Sequence, residues 1–317
     1  MDTNITISLV MPIYGVEKYI GRFAESVLGQ TYPHIQFVFV NDGTRDRSID
    51  ILEGIIDEKY GHLRDRIVIV HKENGGLPSA RKTGMEYVRG DYVWHIDSDD
   101  WIGQDAVAKI AICAEATGAD VIYFDFYKEY EGRTRLKVES DYADKDRYIR
   151  DMYNHRAFGC VWNKCVCRRL YQENEVHFPK YSYAEDTFLM SQLVGYASGM
   201  THLKEPLYHY RKDNPHAITK QKRTKRRREA VMNFLSLYEI YSDKPLQDNP
   251  VLPITDDIFY RAGWYSLIYG FGFFREYPYL ADKILKAEIR GRSDIGIPIQ
   301  IVLKVYAFFR CMLTIKH

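Results

Sequence analysis

Disulfide chemistry and structural zinc are the first things this 317-residue chain is short of: it has five cysteines, an odd number. Cys160, Cys165 and Cys167 lie near His155, but their spacing matches neither paired C-x-x-C nor a finger pattern, which excludes a standard zinc cluster. No leader precedes the first strand-like segment, so a reducing, cytoplasmic compartment is expected. Long uncharged apolar runs are also missing. The stretch from Ile297 to Ile315 is interrupted by Gln300, Lys304, Arg310 and Thr314, and two cations in a run of that length argue against a spanning helix. It reads instead as an amphipathic helix for a peripheral membrane contact, on the cytoplasmic face of the inner membrane, or for packing on a partner. A charge excess of either sign is absent too, since the formal net charge is +1. The basic block Lys220 to Arg228 would favour anionic lipid, and with no recognisable nucleic-acid motif beside it, no nucleic-acid partner is expected. Finally, Tyr14-Gly-Val-Glu-Lys18 follows the first strand where a triphosphate cradle would need a glycine-rich basic loop. That excludes a nucleotidyltransferase.

What is present is an alternation of strand and helix signals. Ile5 to Met11 reads as a strand stopped by Pro12, and Tyr19, Ile20, Phe23, Val27 and Leu28 recur at helical spacing between Val16 and Gln30. Ile35 to Val40 is a second strand, followed by a helix marked by Ile49, Leu52, Ile55 and Ile56. Ile67 to His71 is a third strand, and Pro78 opens a helix through Arg89. Further strands are expected over Tyr92 to Ile96, Asp120 to Tyr127 and Gly159 to Lys164, with helices over Ala106 to Ala116 and from Tyr183 to Tyr196. Polar Glu131 to Arg147 reads as an excursion. Strands and helices joined by short turns imply a parallel sheet covered on both faces, an α/β fold. Twenty-six tyrosines suit sugar contacts as well as core packing, and most are expected to be structural.

Chemistry concentrates in Gly90-Asp-Tyr-Val-Trp-His-Ile-Asp-Ser-Asp-Asp-Trp101, a buried strand ending in Asp97, Asp99 and Asp100. Carboxylates crowded at a strand's carboxyl end repel one another, and that end is where open α/β sheets bind ligands. A divalent cation would relieve the repulsion. Oxygen donors too few for a cage favour Mg²⁺ or Mn²⁺ shared with a substrate phosphate. The competing reading is a solvated acidic turn.

Six motifs stand together in register: Val10-Met-Pro-Ile-Tyr14, Ser26 to Tyr32, Val40-Asn-Asp-Gly-Thr44, Asn74-Gly-Gly-Leu77, Ala80-Arg81 and Asp97-Ser-Asp-Asp100. In order and spacing they resemble the family 2 glycosyltransferases of bacterial polysaccharide biosynthesis. The likeness is close from residue 5 to about 125 and looser through Val161-Trp-Asn-Lys164, Glu185-Asp186 and Leu207-Tyr-His-Tyr-Arg211. It implies a GT-A fold, a mostly parallel Rossmann-like sheet flanked by helices with a helical C-terminal extension. It also implies an enzyme moving a sugar from a nucleotide-sugar donor, a UDP-sugar, to a glycan or lipid-linked acceptor with inversion. By that resemblance Pro12, Tyr14 and Asp42 lie beside the uracil, Arg81 meets the nucleotide or orients an aspartate, Asp99 binds the metal, and Asp97 sits near the ribose or metal. Asp100 supports them, and Asp186 is the base. Tyr208, His209 and Arg211 are placed near the diphosphate or acceptor, and Trp162 and Lys164 near the acceptor cleft.

Four positions depart from the family pattern: Gly15, Asn41, Pro78 and Lys82, of which Lys82 adds a cation near the phosphates. They bear on donor choice more than on reaction class. The expected organisation is a GT-A domain over 1–218, with a nucleotide-sugar half to about 128 and an acceptor half to 218, then a helical region over 219–317. The alternative is a non-catalytic nucleotide-binding module assembling at a membrane.

Overall fold

The structure, a computed structural model, describes residues 4–245, 248–255, 257–259 and 262. Two compact units are present, Met1–Gln221 and Lys222–His317.

In the first unit the chain alternates through β1 (Ile7–Ile13), α1 (Ile20–Leu28), β2 (Ile35–Asn41), α2 (Ser48–Lys59), β3 (Ile67–His71), α3 (Leu77–Met85) and β4 (Tyr92–His95). These strands lie in the order β3, β2, β1, β4, all parallel. Every residue of β1 is buried, as a central strand covered on both faces requires. Its side chains alternate between two cores: Ile7, Leu9, Met11 and Ile13 pack with Phe23, Val27, Leu52 and Ile56, whereas Val10 packs with Val38, Val40, Ala80 and Val93 on the opposite face.

Pro12 does not end β1, as the sequence had suggested. Pairing with β4 stops at Val10, while Pro12 stays in register with Val40 of β2. The missing N–H therefore costs little, because the neighbour on one side has already turned away.

The rest of the unit comprises β5 (Trp101–Ile102), α4 (Ala106–Thr117), β6 (Val121–Tyr130), β7 (Arg133–Lys137), α5 (Lys145–Tyr153), β8 (Lys164–Cys167), α6 (Arg169–Glu173), α7 (Glu185–Tyr196) and β9 (Met200–Arg211). The full sheet runs β3-β2-β1-β4-β8-β6-β9-β5, with β7 paired to β6. It is mixed. Strand β8 is antiparallel to both β4 and β6, and β9 runs parallel to β6.

Two segments differ from expectation. The polar excursion contains β7, whose residues are exposed apart from a half-buried Lys137, and the start of α5. A strand with that little burial shows no apolar alternation to read. The segment from Gly159 is a turn, and the strand begins only at Lys164. Val161 and Trp162 are buried there as turn residues, which a sequence pattern cannot tell from strand residues. Lys164 is itself enclosed, its ammonium donating to the carbonyls of Phe158 and Cys160 and to Asn163 Oδ1 at 2.7–2.8 Å. Trp162 stacks on Tyr208 and meets Phe126 edge-on, so both side chains belong to the core, not to an acceptor cleft.

The second unit opens with α8 (Arg223–Tyr241), which begins inside the basic block. Val231, Phe234, Leu235, Leu237 and Tyr241 are buried, and Tyr238 meets Phe259 edge-on at 4.7 Å. Among the described residues no helix is long and apolar enough to cross a membrane. The amphipathic segment expected over 297–315 lies outside the described residues.

Gly90 tests the packing of the central sheet. A Cβ there would fall 2.7 Å from the Thr6 carbonyl oxygen and 2.8 Å from the Ser8 nitrogen, neither of which can swing aside. Gly90→Ala is expected to destabilise the chain by about 1–3 kcal/mol. Gly54→Ala, in the interior of α2 with open space around it, should instead stabilise by about 0.5–1 kcal/mol. Thermal melts of the two variants check both signs.

Candidate active site

The acidic turn leaves β4 at the carboxyl end of the parallel strands. It is fixed to the sheet by Ile96 N–H donating to the Val10 carbonyl, by Ser98 Oγ donating to the Pro12 carbonyl at 2.7 Å, and by Asp100 N–H donating to the Asp97 carbonyl. Side chains alternate in exposure, with Ser98 and Asp100 buried and Asp97 and Asp99 half-buried. Asp97 and Asp99 therefore remain accessible. Asp100 points the other way and accepts from Tyr208 Oη at 2.7 Å and from Arg211 N–H at 2.6 Å, which ties the turn to the end of β9. Arg211 Nε also donates to the Asp99 carbonyl at 2.9 Å, and Asn214 Nδ2 donates to the Asp99 carboxylate at 2.7 Å.

Arg81 sits in α3, fully enclosed. Its guanidinium donates to Asp97 Oδ1 at 2.6 Å and to Asp186 Oδ1 at 3.0 Å, and the Glu185 carboxylate lies against the same nitrogen as Asp186. One cation thus holds three carboxylates from two elements 90 residues apart in sequence. Burial pushes the Asp97 carboxyl above the ordinary carboxylate range; Arg81 opposes the rise, while Asp186 and Asp99 add to it. Burial raises Asp186 as well, against Arg81, a hydrogen bond from the Val161 amide and the charge of Lys164. Asp99 is raised by burial and held back by Asn214, and Asp100 is raised strongly by burial with Asp99 and Asp97 beside it.

At the end of β2, Asp42 is buried. Its carboxylate accepts from Lys72 Nζ at 2.7 Å, from Gly75 N–H at 2.9 Å and from Gly76 N–H at 2.8 Å, so it holds the glycine turn that leads into α3. Gly43 has φ 68°, and a Cβ there would meet Asn74 N at 2.9 Å. Only glycine lets the turn cross so closely. Tyr14 is 56% exposed just beyond β1, and Pro12 is buried beneath the acidic turn.

The sequence profile of Glycosyl transferase family 2 matches residues 8–174, more than half of the chain. The chain belongs to glycosyltransferase family 2. Its fold is GT-A. The crystal structure of S. aureus TarS 1–349 in complex with UDP-GlcNAc superposes with a TM-score of 0.64 at 19% identity, over 88% of this chain and 79% of that one. The mannosyltransferase PcManGT from Pyrobaculum calidifontis, in complex with GDP-Man and Mn²⁺, gives 0.54 at 16% identity, over 98% and 84%. In sequence, the chain is 32% identical to EpsH of Bacillus subtilis over 214 residues, 65% of this chain. It is 30% identical to the glycosyltransferase GlyA of Streptococcus pneumoniae serotype 4 over 223 residues, 67% of this chain. The matched region spans 60% of EpsH and 31% of GlyA.

Within the matched residues, Asp97 of the D-x-D pair meets Arg81, which also holds the Glu185-Asp186 pair beyond the match, while Asp99 is tied to Asn214. Asp42, Pro12 and Tyr14 lie at the neighbouring strand ends. Other expectations change. Tyr208 is enclosed and serves Asp100, and His209 stacks between Trp101 and Tyr127 with Nδ1 2.7 Å from Glu129. Lys82, one residue past Arg81 and so about 100° around the helix, lines a cavity of about 260 Å³ with Arg168, Tyr171 and Phe178 instead of joining the network. Sequence reasoning missed Lys72 and Asn214, whose partners are distant in sequence and leave no local signal.

Asp97 and Asp99 offer hard oxygen donors with part of each carboxylate accessible, and among the described residues no three metal-ligating side chains close a cage around them. That donor set suits a divalent ion completed by substrate oxygens. Removing Arg81 would leave its three carboxylates facing one another. Arg81→Met is expected to destabilise by about 3–5 kcal/mol at neutral pH. Without the cation these carboxyls would hold their protons more tightly folded than unfolded, so the deficit should shrink as pH falls from 7.5 to 5.5. Thermal melts at both values test this.

Proposed function

We propose that the chain is a metal-dependent, inverting glycosyltransferase that moves a sugar from a UDP-sugar to a glycan or lipid-linked acceptor in cell-surface polysaccharide synthesis. The observation that carries this reading is the Arg81 bridge, which sets Asp97 of the D-x-D pair and Asp186 around one cation at the sheet's carboxyl edge. The neighbours solved in complex with UDP-GlcNAc and with GDP-Man and Mn²⁺ support the donor class and the metal.

Asp99 and Asp97 would hold Mn²⁺ or Mg²⁺, which when bound neutralises the diphosphate leaving group. Pro12, Tyr14 and Asp42 would receive the base. Each Asp42 oxygen retains acceptor capacity beyond the bonds from Lys72, Gly75 and Gly76, so a base imide N–H reaches it once the glycine turn shifts. Asp186 takes the proton from the acceptor hydroxyl as it attacks. Its neighbour cannot do so: the Glu185 side chain is 2% exposed, against 28% for Asp186. With one accessible carboxylate at the start of α7 and, among the described residues, no second one placed as a nucleophile, the reading is a single in-line displacement with inversion. The residues that carry this chemistry fall within 1–218, the segment proposed as the transferase domain.

Asp99→Asn should abolish Mn²⁺-supported UDP binding in calorimetry, with GDP as control. Asp186→Asn should spare that binding and remove transfer; a wild-type transfer rate in this variant would remove Asp186 from the base role. A base must be ionised, and the Asp186 carboxyl is raised by burial, so transfer should fall on the acid side at a pH above the ordinary carboxylate range near 4. A pH–rate profile with its acid limb below pH 4 would count against the assignment.

A further inference from the structure

Strands β7, β6 and β9 carry a face that the donor chemistry does not use. Cross-strand register sets Lys137 opposite Phe126, Arg135 opposite Lys128 and Arg133 opposite Tyr130, while Lys128 also faces Tyr210 of β9. Lys212 continues the ladder, its N–H donating to the Glu129 carbonyl at 2.8 Å, and shares the parity of Tyr210. Five cations therefore stand on one face of three adjacent strands, in a chain whose net charge is +1. Of the carboxylates beside these strands, Glu129 is on the other face with His209 and Thr134, Asp213 pairs with Arg211, and Glu131 lies in the exposed turn between β6 and β7. Among the described residues no carboxylate is in ion-pair contact with any of the five. Glu139 reaches Lys128 only through space.

These are not simply solvated side chains. Lys128, Lys137 and Lys212 are half-buried. The Lys128 ammonium stands 4.6 Å from the Phe158 ring centre and Lys137 5.5 Å from the same ring, Lys212 is 4.6 Å from Tyr210, and Arg133 and Arg135 are 5.0 and 6.0 Å from Tyr130. Burial, then repulsion from Lys212 and Lys137, lowers the ammonium pKa of Lys128, and burial, then repulsion from Lys220, lowers that of Lys212. A bound anion would relieve both costs. Strand spacing sets the cations about 5 Å apart across the sheet and about 7 Å along it, a repeat suited to a polymer with regularly placed negative groups.

The face adjoins the proposed base. Phe158, roofed by Lys128 and Lys137, packs edge-on against Phe126 at 4.8 Å, and three residues further on the Val161 N–H donates to the Asp186 carboxylate. One short segment thus has the cationic face on one side and Asp186 on the other. Because the rings lie beneath the cations, they offer neither wedges for a bilayer nor free faces for stacking nucleobases.

Resting on the transferase reading above, we propose that the face carrying Lys128, Arg133, Arg135, Lys137 and Lys212 binds the acceptor, and that the acceptor is an anionic glycan bearing phosphodiester or carboxylate groups. The test compares the full chain with the triple variant Lys128→Gln, Arg135→Gln, Lys137→Gln. Linear inorganic polyphosphate serves as the probe, without Mn²⁺, and neutral dextran, phosphatidylglycerol vesicles and oligo-dT are the comparators. Wild type is expected to bind polyphosphate and not dextran, and the triple variant to bind it about tenfold or more weakly at 0.1 M salt, with unchanged melting temperature. Equal polyphosphate affinity in the two proteins would overturn the proposal. So would tighter wild-type binding to the vesicles or to oligo-dT than to polyphosphate. UDP titration with Mn²⁺ reports the donor site alone, so its failure counts against the transferase reading, while lost discrimination on polyphosphate counts against the acceptor surface.

Discussion

The site depends on one enclosed guanidinium. Arg81 is fully buried, and a charge in that position is tolerated only because carboxylates from two directions meet it. Asp97 comes from the end of β4, and Glu185 and Asp186 come from the first turn of α7. The planar fork matters as much as the charge, since Nη1 and Nη2 address different elements at once. Burial of this ion cluster couples the loop after β4 and helix α3 to the start of α7, and it keeps three mutually repelling carboxylates within a few ångströms of one another.

A second constraint runs through Asp100. That carboxylate is buried and accepts from Tyr208 and from the backbone of Arg211, so the last turns of β9 are tied to the loop after β4. Tyr208 in turn stacks on Trp162 and accepts from the Asp97 amide. The geometry of the acidic turn is thus held from behind by a strand more than 100 residues later, while Asp97 and Asp99 remain partly open in front. Asp42 plays the same part at the end of β2, where its two oxygens organise the glycine turn before α3.

The cationic face on β6, β7 and β9 shows how a nearly neutral chain can carry a strong local field. Glu129 is held on the opposite strand face and Asp213 pairs with Arg211, so the lysines and arginines of these strands make no ion pair with either. Segregation of this kind is invisible to net charge and arises only when period-two strands are laid side by side.

Much of the first half was legible in the sequence. Periodicity alone placed β1 to β4 and the helices between them, because central parallel strands must be apolar on both faces and surface helices on one. The D-x-D pair, Arg81 and the Glu185-Asp186 pair could be named from motif order. What local pattern could not supply was any relation between distant residues. That Arg81 joins Asp97 to Asp186, that Glu185 turns inward while Asp186 stays accessible, that Trp162 and Lys164 are core, and that β7 exists all follow from tertiary packing. Pairing across the sheet and competition for burial decide those points, and neither leaves a signal within a window of neighbouring residues.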